Sequence, residues 1–414
     1  MPCPDLSFRP LAAAVLLASC TGDEPPRADP TSTNAESATQ LGATTADPSD
    51  DAPPESSTGA EADPEQPMLP ALPARPNRRY CSFSGKPPPN KGRVDIVFPQ
   101  RLSLTGCFAA ADVRQPAPDL IPYEVNSELW TDGAIKDRYI VLPPGMGISF
   151  DDDGRWRYPL HTVLIKNFSF VLASSPDLGP LPVETRIMVK GDTGWIFRTY
   201  KWNETHTDAE LLATDETVTL SVHDGPSTID LRYLFPNAGQ CLVCHSTDDV
   251  VFGPVRPQLD RLVNYGHTTA SQLEAFAQIG VFETPLPDPN QQERSLVDPT
   301  KQEGTLEERA RSYLHANCSH CHRPGGWQPA GMDMDLRYNT TLHNARICDV
   351  NVEYTDVWTG AKRRIDAGDP TNSSIWARTQ LRQLGQMPPL GTVLHDAATG
   401  VIAEWIESID TCPP

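Results

Sequence analysis

Two short segments of the chain carry the same pattern of donors: Cys241-Leu-Val-Cys244-His245 and Cys318-Ser-His-Cys321-His322. Two thiols three positions apart, followed at once by an imidazole, suit three chemistries. A zinc site with four cysteine ligands wants its knuckles about 15–20 residues apart, and Cys244 and Cys318 are separated by far more than that. A redox-active dithiol wants a strand–helix–strand setting; here Cys318 ends an amphipathic helical pattern and Cys241 follows a loop. The third chemistry is covalent attachment of haem. The two thiols reach both vinyl groups of one porphyrin, and the imidazole meets the iron from the same side. Simple disulfides within each motif leave both histidines unexplained, so two matches predict two covalently bound haem c groups, with His245 and His322 as proximal ligands.

The opposite face of each iron needs a second donor. After the second motif the chain offers Met332, Met334 and Met387. Met387 stands in "GQMPPLGT", where Pro388 and Pro389 disfavour a helix and hold an extended loop able to present the sulfur, and a thioether ligand raises the potential. Met332 and Met334 follow the motif closely and read as packing or loop residues. Around the first motif the choice is open. Residues 246–317 contain no methionine, and their only histidines are His267 and His315. His267, His206, His223 and Met188 are candidates, and an open sixth position is a further possibility. Gly253 and Pro254 in "VFGPVRPQLD" are placed to lie beneath His245, with a proline carbonyl to orient its ring. His315 and His320 read as packing or surface residues.

The rest of the chain must export and position these groups. The 414 residues allow two or three domains, with 42 prolines, about twice the usual share. Residues 21–75 hold eleven acidic side chains, two arginines and no aromatic residue, so they cannot bury enough apolar surface to offset chain entropy and read as a disordered tether. The formal charge of −20 gives no basic surface for nucleic acid. Residues 1–20 read as a signal segment. The apolar run Leu11–Ala18 is too short to span a bilayer, and Leu17-Ala18-Ser19-Cys20 resembles a lipoprotein cleavage site at which Cys20 would be lipidated. Export makes disulfides expected among Cys81, Cys107, Cys348 and Cys412. The pairing Cys81–Cys107 and Cys348–Cys412 keeps each bridge inside one region.

Residues 76–232 read as a β-rich domain. "GISFDDDGRWRYPLHTVLIKNFSFVL" and "VETRIMVKGDTGWIFRTYKWN" both have the form of hairpins of an antiparallel sandwich. The acidic run Asp151–Asp153 is a solvated turn. From residue 233 the periodicity turns helical. "TASQLEAFAQIGVF" is a short helix in the first motif's segment, 233–304. Thr305 and Glu308 form a capping box for the helix that reaches Cys318. "SSIWARTQLRQLG" is a further helical stretch, and Val401, Ile402, Trp405, Ile406 and Ile409 make the last helix amphipathic. The fold class is therefore multidomain α+β, an antiparallel β-sandwich-like domain followed by helical domains.

The order "NCSHCH", "GDPTNSSIWAR", "MPPLGT", "VIAEWI" over 305–414 resembles a class I cytochrome c domain, with an insertion around "LRYNTTLHNARICDVNVEYTDVW". With the "ETRIMVK…GWIFRTYKWNETHTDAEL" and "YLFPNAGQCLVCH" stretches, the chain resembles a family of exported bacterial di-haem c-type cytochromes. The resemblance implies helical cytochrome c-like domains and His322–Met387 as axial ligands. It implies single-electron transfer between periplasmic or membrane redox partner proteins, from a lipid anchor facing the periplasm or cell surface of a Gram-negative bacterium. Two alternatives remain at this stage: a peroxidase-like haem enzyme with an open first iron fed by the second haem, and a ligand-binding module carrying cytochromes.

Overall fold

The structure is a computed structural model that describes residues 75–83, 96–151, 155–245, 251, 253–266, 268–287, 294–328, 332–352, 356–389, 391 and 393–413. The signal segment, Cys20, nearly all of the tether, Asp152, Asp153 and His267 lie outside the described residues. Every described residue belongs to one compact unit, Glu65–Pro414.

The chain first forms a short ribbon, Phe108–Ala109 (β1) with Asp112–Pro116 (β2). Ile121–Pro122 (β3) and Ile135–Val141 (β4) follow, then a second ribbon of Ser149–Phe150 (β5) and Trp156–Arg157 (β6). Val163–Val171 (β7), Pro180–Gly191 (β8), Gly194–Trp202 (β9) and Ala209–Leu211 (β10) complete a six-stranded antiparallel sheet ordered β10-β9-β8-β7-β4-β3. Glu216–Asp224 (β11) and Ser227–Phe235 (β12) pair as a separate long hairpin.

The expected hairpin "VETRIMVK…GWIFRTYKWN" is β8–β9, with Gly191 opposite Gly194 at its turn. The stretch "GISFDDDGRWRYPLHTVLIKNFSFVL" divides differently. Its first apolar run forms only the two-residue β5, paired with β6, and its second becomes β7, which pairs with β4 and β8. The apolar run is long enough to span the sheet, whereas its intended partner is not.

Period-two alternation assigns the faces of β8. Thr185, Ile187 and Val189 are buried, while Arg186, Met188 and Lys190 are partly exposed. Ile187 and Val189 join Val163, Ile165, Tyr200, Trp202 and the bridged Cys81 and Cys107 in one core. Two further clusters cover the other face: one under the β11–β12 hairpin with Phe168 and Phe170, one around Leu164, Ile140, Leu273 and Phe276.

Helices then take over. Ala238–His245 (α1) leaves the last strand and packs against β9. Arg256–Leu259 (α2) precedes a small ribbon of Leu262–Asn264 (β13) and Thr269–Ser271 (β14), followed by Gln272–Gln278 (α3), which Ser271 caps by accepting the Glu274 N–H. Leu306–Cys318 (α4) starts with the full capping box of Thr305 and Glu308. Short turns Leu342–Ala345 (α5) and Ser374–Ala377 (α6) lead to Asp396–Glu407 (α7). The stretch "SSIWARTQLRQLG" is helical for only that single turn plus a 3-10 segment. Ala310, Tyr313 and Leu314 of α4 pack against Val401, Ile402, Trp405 and Ile406 of α7 in one buried cluster. Cys81 is bonded to Cys107 and Cys348 to Cys412, with S–S distances of 2.02 and 1.95 Å. These are the expected pairings.

Among the bonds that join the helical part to the sheet, those of one buried carboxamide reach the end of α4. Asn317, on the last turn of α4, accepts the Trp130 N–H at 2.7 Å and donates to the carbonyls of Glu128 at 3.2 Å and Tyr313 at 3.1 Å. Asn317 is 1 % exposed, so its truncation strands buried backbone groups. We expect Asn317→Ala to cost about 2–3 kcal/mol in urea unfolding, since each orphaned polar group costs about 1–3 kcal/mol; a shift in midpoint no larger than that of an exposed-site control would refute the clamp. Thr305→Ala should cost about 1 kcal/mol through loss of the cap, measured the same way, and Thr305→Ser should recover most of it.

Candidate functional site

Each motif is delivered by the end of a helix. At the start of α1, Asn237 and Gln240 cap each other reciprocally: the Gln240 N–H donates to Asn237 Oδ1 at 3.0 Å and the Asn237 N–H to Gln240 Oε1 at 2.9 Å. Cys241 therefore lies within a helix, not after a loop as its sequence context suggested, and α1 ends at His245. The second motif begins at the last residue of α4. There the N–H groups of Cys321 and His322 both donate to the Cys318 carbonyl, at 3.1 and 2.9 Å, which curls the five residues into a tight turn.

The two motifs meet. The ligand atoms of Cys244, His320 and Cys321 lie within 4.8 Å of one another, and Cys321 Sγ is 3.8 Å from the Val243 carbonyl oxygen. All four motif cysteines remain thiols, in contrast to the four that pair. Separation along the chain thus does not keep the motifs apart, because α1 lies on the sheet and Asn317 ties the end of α4 to the loop before β4. His320, read from the sequence as a packing or surface residue, is 9 % exposed and sits among the thiols.

The electrostatics follow from this contact. The hydrogen bond from Cys244 holds the Cys321 thiol well below the ordinary cysteine range, with His320 acting in the same direction. Cys244 moves the opposite way, pushed up first by the Cys321 bond and then by burial. Burial raises Cys318 to about 12 and also raises Cys241. His245 is lowered to about 3 by burial, with Lys166 adding to the effect. His322 is lowered as well, chiefly by burial. Both imidazoles are therefore neutral near pH 7, the state in which the ring nitrogen can act as a ligand.

Beside the first motif lies a cavity of about 190 Å³ with the α1 residues Cys241, Cys244 and His245 on one wall and the sheet on another. The strand register orders the sheet wall into rows. Ile140, Leu164, Met188 and Phe197 are successive cross-strand partners and form an apolar row. The His245 ring lies 5.2 Å from that of Phe197. The neighbouring row is cationic: Arg138 opposite Lys166, and Lys166 opposite Arg186. Like charges directly opposite each other repel. Arg138 has Glu128 at 3.1 Å and Arg186 has Glu184 at 2.5 Å. Burial, followed by the charges of Arg138 and Arg186, lowers Lys166 to about 7, and Arg138 Nη2 is buried without a hydrogen-bond partner among the described residues. Nothing in the sequence pattern marks this row, because each cation stands on a different strand.

The other anticipated residues are scattered around this centre. Pro254 lines the cavity, and its carbonyl accepts the Tyr158 hydroxyl at 2.5 Å; Gly253 lies against Tyr123. Met387 lines a small cavity with Trp130 and Tyr313, and its N–H donates at 3.1 Å to the carbonyl of Arg378, whose guanidinium acts on His322. Met334 is buried and Met332 partly buried in the α4–α7 core, as packing residues. His315 is partly buried and accepts the Tyr338 N–H on Nδ1 at 3.1 Å. A larger cavity of about 720 Å³ shares Tyr123 and Trp130 with the first but holds none of the motif residues. On its edge the Trp130 and His395 rings stack 3.9 Å apart.

In protein carrying free motif thiols, Cys321 should react with iodoacetamide at pH 6 far faster than Cys318, because its thiolate forms at lower pH. Cys244→Ala should slow that reaction by removing the bond that favours the thiolate; peptide mass mapping reads both, and equal rates at Cys318 and Cys321 would contradict the assignment. Compared with known proteins, the chain matches no family, no curated protein and no solved structure.

Proposed function

We propose that this chain is an exported, lipid-anchored c-type cytochrome that holds two covalent haem c groups and relays single electrons between redox partner proteins of the periplasm or membrane. The observation that carries the reading is the pair of Cys-X-X-Cys-His motifs at helix ends whose four sulfurs form no disulfide and whose second cysteines, Cys244 and Cys321, adjoin. In a chain whose other four described cysteines pair, unpaired thiols in this number point to a separate use for them.

The donor set suits the group. Cys241 and Cys244, and Cys318 and Cys321, would hold the two macrocycles, with His245 and His322 as neutral imidazole ligands and Met387 as the thioether ligand of the second iron. The apolar row of the sheet wall matches a flat apolar ring. The adjacent row of Arg138, Lys166 and Arg186 has an excess of positive charge that carboxylate substituents would offset. The cavity is smaller than the about 300–1,000 Å³ that encloses a drug-sized ligand, so a macrocycle here would keep part of its edge outside. When bound, the haems supply one-electron redox chemistry. The chain's own contribution is to fix both attachment points side by side and to exclude water from the first through Leu164, Phe197 and Tyr233.

Disulfides favour an oxidising compartment, which agrees with export through residues 1–20 and lipidation at Cys20. Among the described residues no helix is long and apolar enough to cross a membrane. The helical part over 305–414, with α4 crossing α7, is consistent with a class I cytochrome c domain.

A second reading has one observation in its favour: Cys244, His320 and Cys321 present two thiols and an imidazole at metal-ligand spacing, a donor set that suits zinc. Pyridine haemochrome analysis and intact mass of natively matured protein separate the two. Two haems per chain are expected, with Met387→Ala altering the spectrum of one and lowering its potential; a colourless protein with one zinc per chain, lost in Cys321→Ala, would replace the first reading with the second.

A further inference from the structure

The sixth ligand of the first iron is the position the sequence leaves open; His267 lies outside the described residues, and among the described donors the structure discriminates. His206 directs Nδ1 to the Pro182 carbonyl at 2.8 Å, six residues along β8 from Met188. His223 stands in the β11–β12 hairpin opposite Thr228. His315 shares a cavity edge with His245, but its Nδ1 accepts a backbone N–H. A neutral imidazole that accepts on Nδ1 carries its proton on Nε2, so Nε2 has no lone pair for a metal. His320 lies within 4.8 Å of the Cys244 and Cys321 sulfurs, which are the points of attachment at the ring's rim and not at its centre.

Met188 is placed differently. It projects from the centre of β8 on the face that the cavity occupies, in the same apolar row as Leu164 and Phe197. Phe197, its direct partner across the strands, is the residue the His245 ring packs against. Met188 and His245 therefore reach one cavity from two walls, strand and helix. A thioether also suits the setting: it needs no proton and no hydrogen-bond partner to sit among apolar side chains.

We infer that Met188 is the second protein ligand of the first iron beside His245, so that the β-sheet supplies one of the two side chains that would hold it. This inference rests on the two-haem reading. It makes the first centre six-coordinate and assigns it to electron transfer, in place of an open iron that binds peroxide.

The test uses the full-length chain matured with haem attached. Haem is counted by pyridine haemochrome and spin state is read by low-temperature EPR, in the wild type, Met188→Ala and Met188→His. The expected result is two haems in all three proteins and two low-spin irons in the wild type. Met188→Ala should convert one iron to high spin, and Met188→His should restore low spin with a bis-imidazole signal and a lower midpoint potential. An unchanged EPR spectrum in Met188→Ala, or one high-spin iron already in the wild type, would overturn the assignment while leaving the two-haem reading intact. Absence of covalent haem from the wild type would remove that reading, and the ligand assignment with it.

Discussion

The arrangement of the site depends on a buried carboxamide. Asn317 bonds to three backbone groups, two of them on the loop that precedes β4, and in doing so it fixes the end of α4 against the sheet. That end is where the second motif begins. The first motif is held on the same sheet by a different route, through α1 packed on β9. Together with Ser127, whose hydroxyl donates to the Ser312 carbonyl, and Trp130, whose indole N–H donates to the Val393 carbonyl, Asn317 holds the second motif where Cys321 adjoins Cys244. A net stabilisation of about 1 kcal/mol per hydrogen bond is modest, but here three such bonds decide a register between elements nearly two hundred residues apart.

Electrostatic asymmetry around the first motif follows from strand register. Arg138, Lys166 and Arg186 come together only because β4, β7 and β8 are adjacent and in step. Against Lys136, Arg138, Lys166 and Arg186 the ion pairs among the described residues supply Glu128 and Glu184. The imbalance lies beside an apolar row, so one sheet face offers an oily strip and a charged strip side by side. This pairing favours a flat ligand with one apolar and one acidic edge, which is the physical basis on which the two-haem proposal fits the β-rich part as well as the motifs.

Local features were legible in the sequence where the signal is local. The Thr305–Glu308 capping box set the start of α4, the alternation of Thr185, Ile187 and Val189 set the faces of β8, and the apolar spacing of Val401 to Ile406 set the buried side of α7. Features made by distant partners were not. Alternation tells which face of β8 carries Met188, but not that α1 covers it. The run that forms β7 looked like a hairpin arm because an acidic stretch precedes it, yet the sheet offered it longer partners in β4 and β8. His320 looked solvent-facing from its place inside its own motif, and the approach of Cys244 from α1 buries it. The distance between the two motifs in sequence argued against a shared metal site, although three of their donors are neighbours in space.

The strict division of labour along β8 has a genetic corollary. Lesions at Thr185, Ile187 and Val189 fall on the side bearing the disulfide-braced core and should act by lowering the amount of folded protein. Lesions at Met188 fall on the cavity side and should leave abundance largely intact while altering the chemistry, whereas a lesion at Arg186 strands the buried Glu184 carboxylate and lowers yield as well. A saturation screen that scores yield and redox behaviour separately would therefore see two interleaved phenotypes, switching at every residue of a single strand.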